Sequence, residues 1–186
     1  MALNNKATLA VGTGRFYVAP VSTPYPKADI SSPAEPWEEI GHTSLEDIIS
    51  FDSEGGEATV MGTLQAPSLR TSYSARSESF AIILQQFDVD GLKLFYGSNA
   101  EVDATTGLVN VPTHPTPTEK AFLAVFIDGA NFFSIYAPRT EIFRGDNFEI
   151  ADTESFASLP LNVKPLQDGN NDYTYALSPL GEVVAG

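Results

Sequence analysis

At 186 residues, 42 % of them hydrophobic and 11 % aromatic, the chain suits one domain with a real core and is too apolar to be intrinsically disordered. Ten Lys and Arg against 24 Asp and Glu leave a formal charge of −14, which excludes a groove that grips nucleic acid and a surface that docks on anionic lipid. The absence of cysteine removes disulfides, thiolate zinc sites and cysteine nucleophiles.

Thirteen Pro and 14 Gly scattered between short apolar segments are the punctuation of a mainly β domain. Residues 1–9 read as an N-terminal arm and residues 10–19 as a first strand. The stretch from Pro20 to Pro36 holds five prolines and is expected to be a long extended loop. Residues 37–64 form an acidic loop-and-strand region, with strands expected at Trp37–Ile40, Ile48–Ser53 and Ala58–Leu64 and a turn at Gly55-Gly56. Ser44, with Asp47 three residues on, offers a weaker alternative, one helical turn. Thr71–Phe87 is the longest strand candidate; Ser72, Ser74, Arg76 and Glu78 form a polar face, and from Phe80 to Leu84 both faces become apolar.

Residues 88–97 predict the single helix. Asp88 or Asp90 would cap it, Val89, Leu92 and Phe95 would line its buried face, and Gly97 would end it. Asp128-Gly129 between Ala121–Ile127 and Asn131–Ala137 is the clearest hairpin signal. Residues 140–150 and 153–164 supply two more strands, the second carrying Pro160, which favours an edge or a bulge. After the expected turn at Asp168–Asp172, residues 165–186 form a C-terminal extension with one more apolar pass. The longest apolar run, Ala121–Ile127, is too short for a membrane span, and the N-terminus has no signal-peptide core, so a soluble, cytoplasmically made chain is expected.

Chemistry finds little support. His42 and His114 are the only imidazoles, too few for a multi-histidine metal site, and each sits in a context that favours a turn or a solvated loop over general-base work. Gly12-Thr13-Gly14 lacks the later Gly and Lys of a phosphate loop. Asp88-Val89-Asp90 and Asp168–Asp172 do not continue to the bidentate Glu of a calcium loop. No catalytic, metal-binding or cofactor-binding residue is expected. Trp37 reads as an anchor for its loop rather than a sugar platform. Between Asp29 and Leu69 the chain carries nine carboxylates and no base.

The wording of several segments resembles the major tail protein of long-tailed (siphovirus-type) bacteriophages, particularly those infecting actinobacteria. It begins at Ala2-Leu3-Asn4-Asn5 and Gly12–Tyr17, is densest at Trp37–Ser44, Ser53–Thr59, Leu69–Arg76 and Leu84–Asp88, and loosens after Tyr96–Asn99. The resemblance implies a β-sandwich or flattened barrel with one flanking helix, no enzymatic activity and no cofactor. It implies a structural virion protein whose hexameric rings stack into the tail tube that conducts genomic DNA. Its implied partners are further copies of itself, a tape measure protein, a tail terminator and distal tail or baseplate proteins; double-stranded DNA passes without specific binding, and no membrane is involved. Many relatives carry an added C-terminal immunoglobulin-like domain, for which no room is expected after residue 165.

On that reading Trp37, Glu38, Glu39, Gly41, His42, Glu54 and Glu57 are candidate assembly contacts. Glu78 and Glu154 are candidate acidic residues facing the bore. The loop 20–36 and the N-terminal arm are expected to reach toward neighbouring rings. Two rivals remain: another virion assembly protein, such as a tail terminator or capsid decoration protein, and a β-sandwich carbohydrate-active enzyme.

Overall fold

A computed structural model of the chain describes residues 3–4, 7–150 and 153–182. The termini of the expected N-terminal arm and C-terminal extension therefore lie partly outside the described residues. In chain order the strands are β1 (Thr13–Ala19), β2 (Glu38–Glu39), β3 (Ser50–Gly55), β4 (Ala58–Met61), β5 (Arg70–Tyr73) and β6 (Arg76–Leu84). The helix α1 (Val89–Tyr96) follows, then β7 (Glu101–Val102), β8 (Val109–Asn110), β9 (Thr118–Asp128), β10 (Asn131–Arg144), β11 (Leu159–Pro165), β12 (Ala176–Leu177) and β13 (Gly181–Glu182).

The main sheet is antiparallel, with β2, β1, β9, β10, β11, β6 and β3 in that order, and it folds over on itself without closing into a barrel. Strand β10 makes the fold possible. It pairs with β9 on one side in both halves, and on the other side its first half pairs with β12 and β13 and its second half with β11. Between the halves, Pro138 and Arg139 together oppose one residue of β9, a bulge that bends the strand and tolerates a proline that has no N–H to give. The two strands expected on either side of Pro138 are thus one.

Folding brings the β1–β9–β10 layer against the β11–β6–β3 layer. Phe16, Phe122 and Phe126 meet Phe80, Ile82, Leu84, Leu159, Leu161 and Val163 in a common core, and α1 plugs one side with Leu94 and Phe95. The helix has the expected cap and stop, with Asp88 accepting the Gly91 N–H at 2.8 Å and Gly97 ending it at φ 107°. Its buried face, however, is Gly91, Leu94 and Phe95, while Val89 is exposed and Leu92 half-buried. The hairpin between β9 and β10 turns on Gly129 and Ala130, one residue later than the Asp-Gly signal suggested, with positive φ at Gly129 alone. Ser44 accepts from the backbone of Glu46 and Asp47 but starts no helix.

Pro160 corrects an expectation, because β11 is an inner strand. The Gly145 N–H donates to the Pro160 carbonyl at 2.8 Å, so Pro160 turns its hydrogen-bonding edge toward β10. The β10 ladder has already ended there, at Arg144 and Leu161, so the missing N–H removes no ladder bond.

The stretch from Ser50 to Leu84 departs most from its reading. Gly55-Gly56 is not a turn. Strands β3 and β6 pair, and beyond them β4 and β5 pair, so the whole stretch is one long hairpin interrupted at Gly56-Glu57 and Ser74-Ala75. The single strand expected over Thr71–Phe87 breaks at that interruption. All eight residues of β4 and β5 are exposed, which makes residues 58–73 a projecting arm.

Candidate assembly surfaces

Because β1–β9–β10 is the outer layer on one side, its back needs a cover, and the proline-rich loop supplies one. Ile30 and Trp37 are buried against Tyr17, Leu123, Val125 and Tyr136, and Tyr25 packs against the same cluster. Trp37 meets the Tyr136 ring edge-on at 6.2 Å, and the Tyr136 hydroxyl donates to the Thr23 carbonyl at 2.7 Å. Burial raises the Tyr136 pKa to about 12. The loop 20–36 is therefore folded onto its own subunit rather than held out toward another, and Trp37 anchors it.

The remaining candidates fall in three separate places. Glu38 and Glu39 are exposed on β2 and flank a cavity of about 420 Å³ shared with Asp88, Asp90, Lys93 and Lys120. Gly41, at φ 104°, lets the chain pass close to Gln86, where a Cβ would come within 2.4 Å of the amide oxygen. His42 uses its backbone there, donating to Gln86 Oε1 at 3.2 Å and accepting from Gln85 N at 2.7 Å. Its imidazole and that of His114 belong to exposed residues far apart in the chain. Glu54 and Glu57 lie at the base of the arm, and the Glu57 N–H donates to Ser74 Oγ at 2.9 Å.

Glu78 does not lie on an outward face. It shares its side of β6 with Phe80, Ile82 and Leu84, the core side, and sits at the end of that row beside Arg76 (3.7 Å) and Tyr175. Glu154 is exposed and precedes β11 rather than belonging to it. The outward side of this layer is a different set. Asp52 and Glu54 of β3 stand opposite Ser79 and Ser77 of β6, and Lys164 of β11 stands opposite Glu141 of β10, which in turn opposes Glu119 of β9. Arg139 holds Glu119 through two N–H···O bonds of 3.0 Å each. The nearby bases are Lys164 and Arg139, whose guanidinium is held by Glu119 and also feels the charge of Glu141. None of Asp52, Glu54 and Glu141 makes an ion pair with Lys164 among the described residues.

Alternation would have found this face. The apolar residues Phe80, Ile82 and Leu84 identify the even positions of β6 as buried, so the odd positions, and whatever pairs with them, face out.

No three His, Asp or Glu residues are placed to hold a metal among the described residues. What the fold presents is an acidic sheet face, an open edge along β3 and a projecting arm with exposed apolar residues. Residues 1–179 match the phage tail tube protein family, and the chain belongs to it. It is 32 % identical to the major tail protein Gp23 of Mycobacterium phage D29, over 97 % of this chain and 99 % of that protein. It is 34 % identical to the major tail protein Gp23 of Mycobacterium phage L5, over 87 % of this chain and 85 % of the relative. The chain is thus a structural subunit of a phage tail, and not an enzyme.

Proposed function

We propose that the chain forms hexameric rings that stack into the tail tube, and that genomic DNA leaves the virion along the bore. Synthesis in the host cytoplasm precedes assembly around a tape measure protein, with terminator and distal tail proteins at the two ends. The observation that supports this best is the uncovered sheet face carrying Asp52, Glu54 and Glu141. Set toward the bore, these carboxylates repel the phosphates, which lie at one charge per ~1.7 Å of duplex. Repulsion acts over roughly 8 Å at physiological salt, so DNA slides without being held. That role passes to this face from Glu78, which lies on the core side of β6, while Glu154, exposed ahead of β11, remains a second candidate. The exposed edge of β3 suits pairing with a strand of the next subunit around the ring. Glu38, Glu39, Gly41 and His42, next to β2 at the other sheet edge, suit the receiving side.

Electron microscopy of the concentrated chain tests the reading. Hollow tubes whose wall turns this face inward are expected. Rings that never stack would favour a terminator or decoration role, and a basic bore would overturn the sliding argument.

A further inference from the structure

The two longest runs without Asp, Glu, Lys or Arg are residues 104–118, with 15 residues, and residues 58–69, with 12. In a chain of net charge −14, copies repel wherever charge is dense, and uncharged surface is where they approach at least cost. The structure makes both runs into surface features of opposite shape.

Residues 58–69 are the outer part of the arm. Thr63 and Ala66 exchange backbone hydrogen bonds of 2.8 and 3.1 Å, so Leu64 and Gln65 form the apex. Leu64 is 98 % exposed and Leu69 is 67 % exposed, with Val60 and Met61 also open to solvent. Residues 104–118 do the reverse. The segment passes the C-terminal end of α1, pinned by Asn99, whose side chain donates to the His114 carbonyl and accepts from Thr116 N, both at 2.9 Å. Between helix and segment lies a mainly apolar groove of about 350 Å³, walled by Phe95, Tyr96, Val111, Pro115, Pro117 and Phe143. Arg144 is its one charged lining residue, the guanidinium lying 5.5 Å from the Phe95 ring.

The two features cannot satisfy each other within one chain, since Leu64 lies in no groove of its own subunit. They are also set apart along the sheet. The arm leaves at Arg76, whereas Phe143 at the groove is in register, through Asn162, with Ala81, five residues along β6. At ~3.3 Å per residue that is roughly 17 Å, and the arm lies beyond Arg76 on the far side. An apolar knob and an apolar groove on different parts of one molecule make a head-to-tail contact, and such contacts propagate unless the rotation closes them.

We propose that the Leu64 apex docks in the groove between α1 and residues 111–117 of a second copy of this chain, and that this contact joins one ring to the next. The inference rests on the tube reading above. Because the chain has no native cysteine, the contact can be trapped without background. Tubes of the Leu64→Cys, Val111→Cys double variant, oxidised and run under denaturing non-reducing conditions, are expected to give a ladder of linked chains. A Leu64→Cys, Leu177→Cys control should give none, and Leu64→Asp should remain folded by circular dichroism but lose tubes. Tubes without a ladder, or normal tubes from Leu64→Asp, overturn the docking and leave the tube reading standing. A wild-type chain that never assembles at high concentration overturns the tube reading and the docking with it.

Discussion

The rings of Phe80 and Phe122 lie 6.3 Å apart and within 19° of parallel, one from each layer of the folded sheet. Phe122 also lies 6.2 Å from Phe16, so three rings carry the core from β6 through β9 to β1. All three are almost fully buried. Removing either partner of the Phe80–Phe122 contact leaves a cavity that neither layer can collapse to fill. Phe122→Ala and Phe80→Ala are each expected to lower unfolding stability by about 3–5 kcal/mol, read as a shift in the urea midpoint at unchanged slope.

At the start of α1, the Gly91 N–H and the Gln86 side chain both donate to the Asp88 carboxylate and hold its pKa below the usual carboxylate value. A carboxylate with a depressed folded-state pKa contributes stability that is complete above its unfolded pKa and is lost as pH falls through the folded one. Asp88→Ala is expected to cost about 0.5–2 kcal/mol at neutral pH. Asp88→Asn keeps a capping oxygen, so it should retain most of that stability and abolish this group's acid dependence between pH 4 and lower values (roughly, from the ordinary carboxylate range). Urea titrations of the three proteins across that window separate the cap from the charge.

The loop over the back of the sheet can be followed through Trp37, the chain's single tryptophan. The Tyr136 pKa of about 12 has a sign that is easily tested. Its folded value is raised, so the stabilisation is complete below the unfolded value near 10 and declines as pH climbs from ~10 toward the folded value. Alkaline titration should therefore loosen this loop in that window, seen as a red shift of Trp37 emission. Tyr136→Phe should remove that contribution and also lose the hydrogen bond to Thr23, a net ~1 kcal/mol.

The helix and the hairpin of β9 with β10 were legible because their signals are local: a cap, a stop and a turn glycine. The loop from Pro20 to Pro36 was legible as irregular but not as a cover. Its packing depends on Tyr17 and Tyr136, which are 119 residues apart in sequence and become neighbours only when β1, β9 and β10 align. Glu78 was misplaced for a related reason. The polar run Ser72, Ser74, Arg76, Glu78 reads as one outward face, yet the irregularity at Ser74-Ala75 breaks it, and within β6 the parity belongs to Phe80. The family words in the first half placed the protein correctly, because a family can be recognised from segments whose individual side chains are assigned wrongly.

That irregularity is where the arm joins the body, and Gly55 is its tightest point. Gly55 has φ 82°, and a Cβ there would lie 2.1 Å from the Ala75 carbonyl oxygen. Backbone strain and collision act together, so Gly55→Ala must shift either the arm or the end of β6. Gly107 makes the matching control, with φ 72° and nothing within 4 Å of an added Cβ, so alanine there meets only the conformational penalty. Gly107→Ala is expected to cost about 1–2 kcal/mol and Gly55→Ala measurably more. The readouts should also divide. Limited proteolysis should cut Gly55→Ala faster between residues 56 and 75 while leaving Gly107→Ala unchanged there, and equal cleavage of the two would show that the arm's attachment does not depend on the close approach at Ala75.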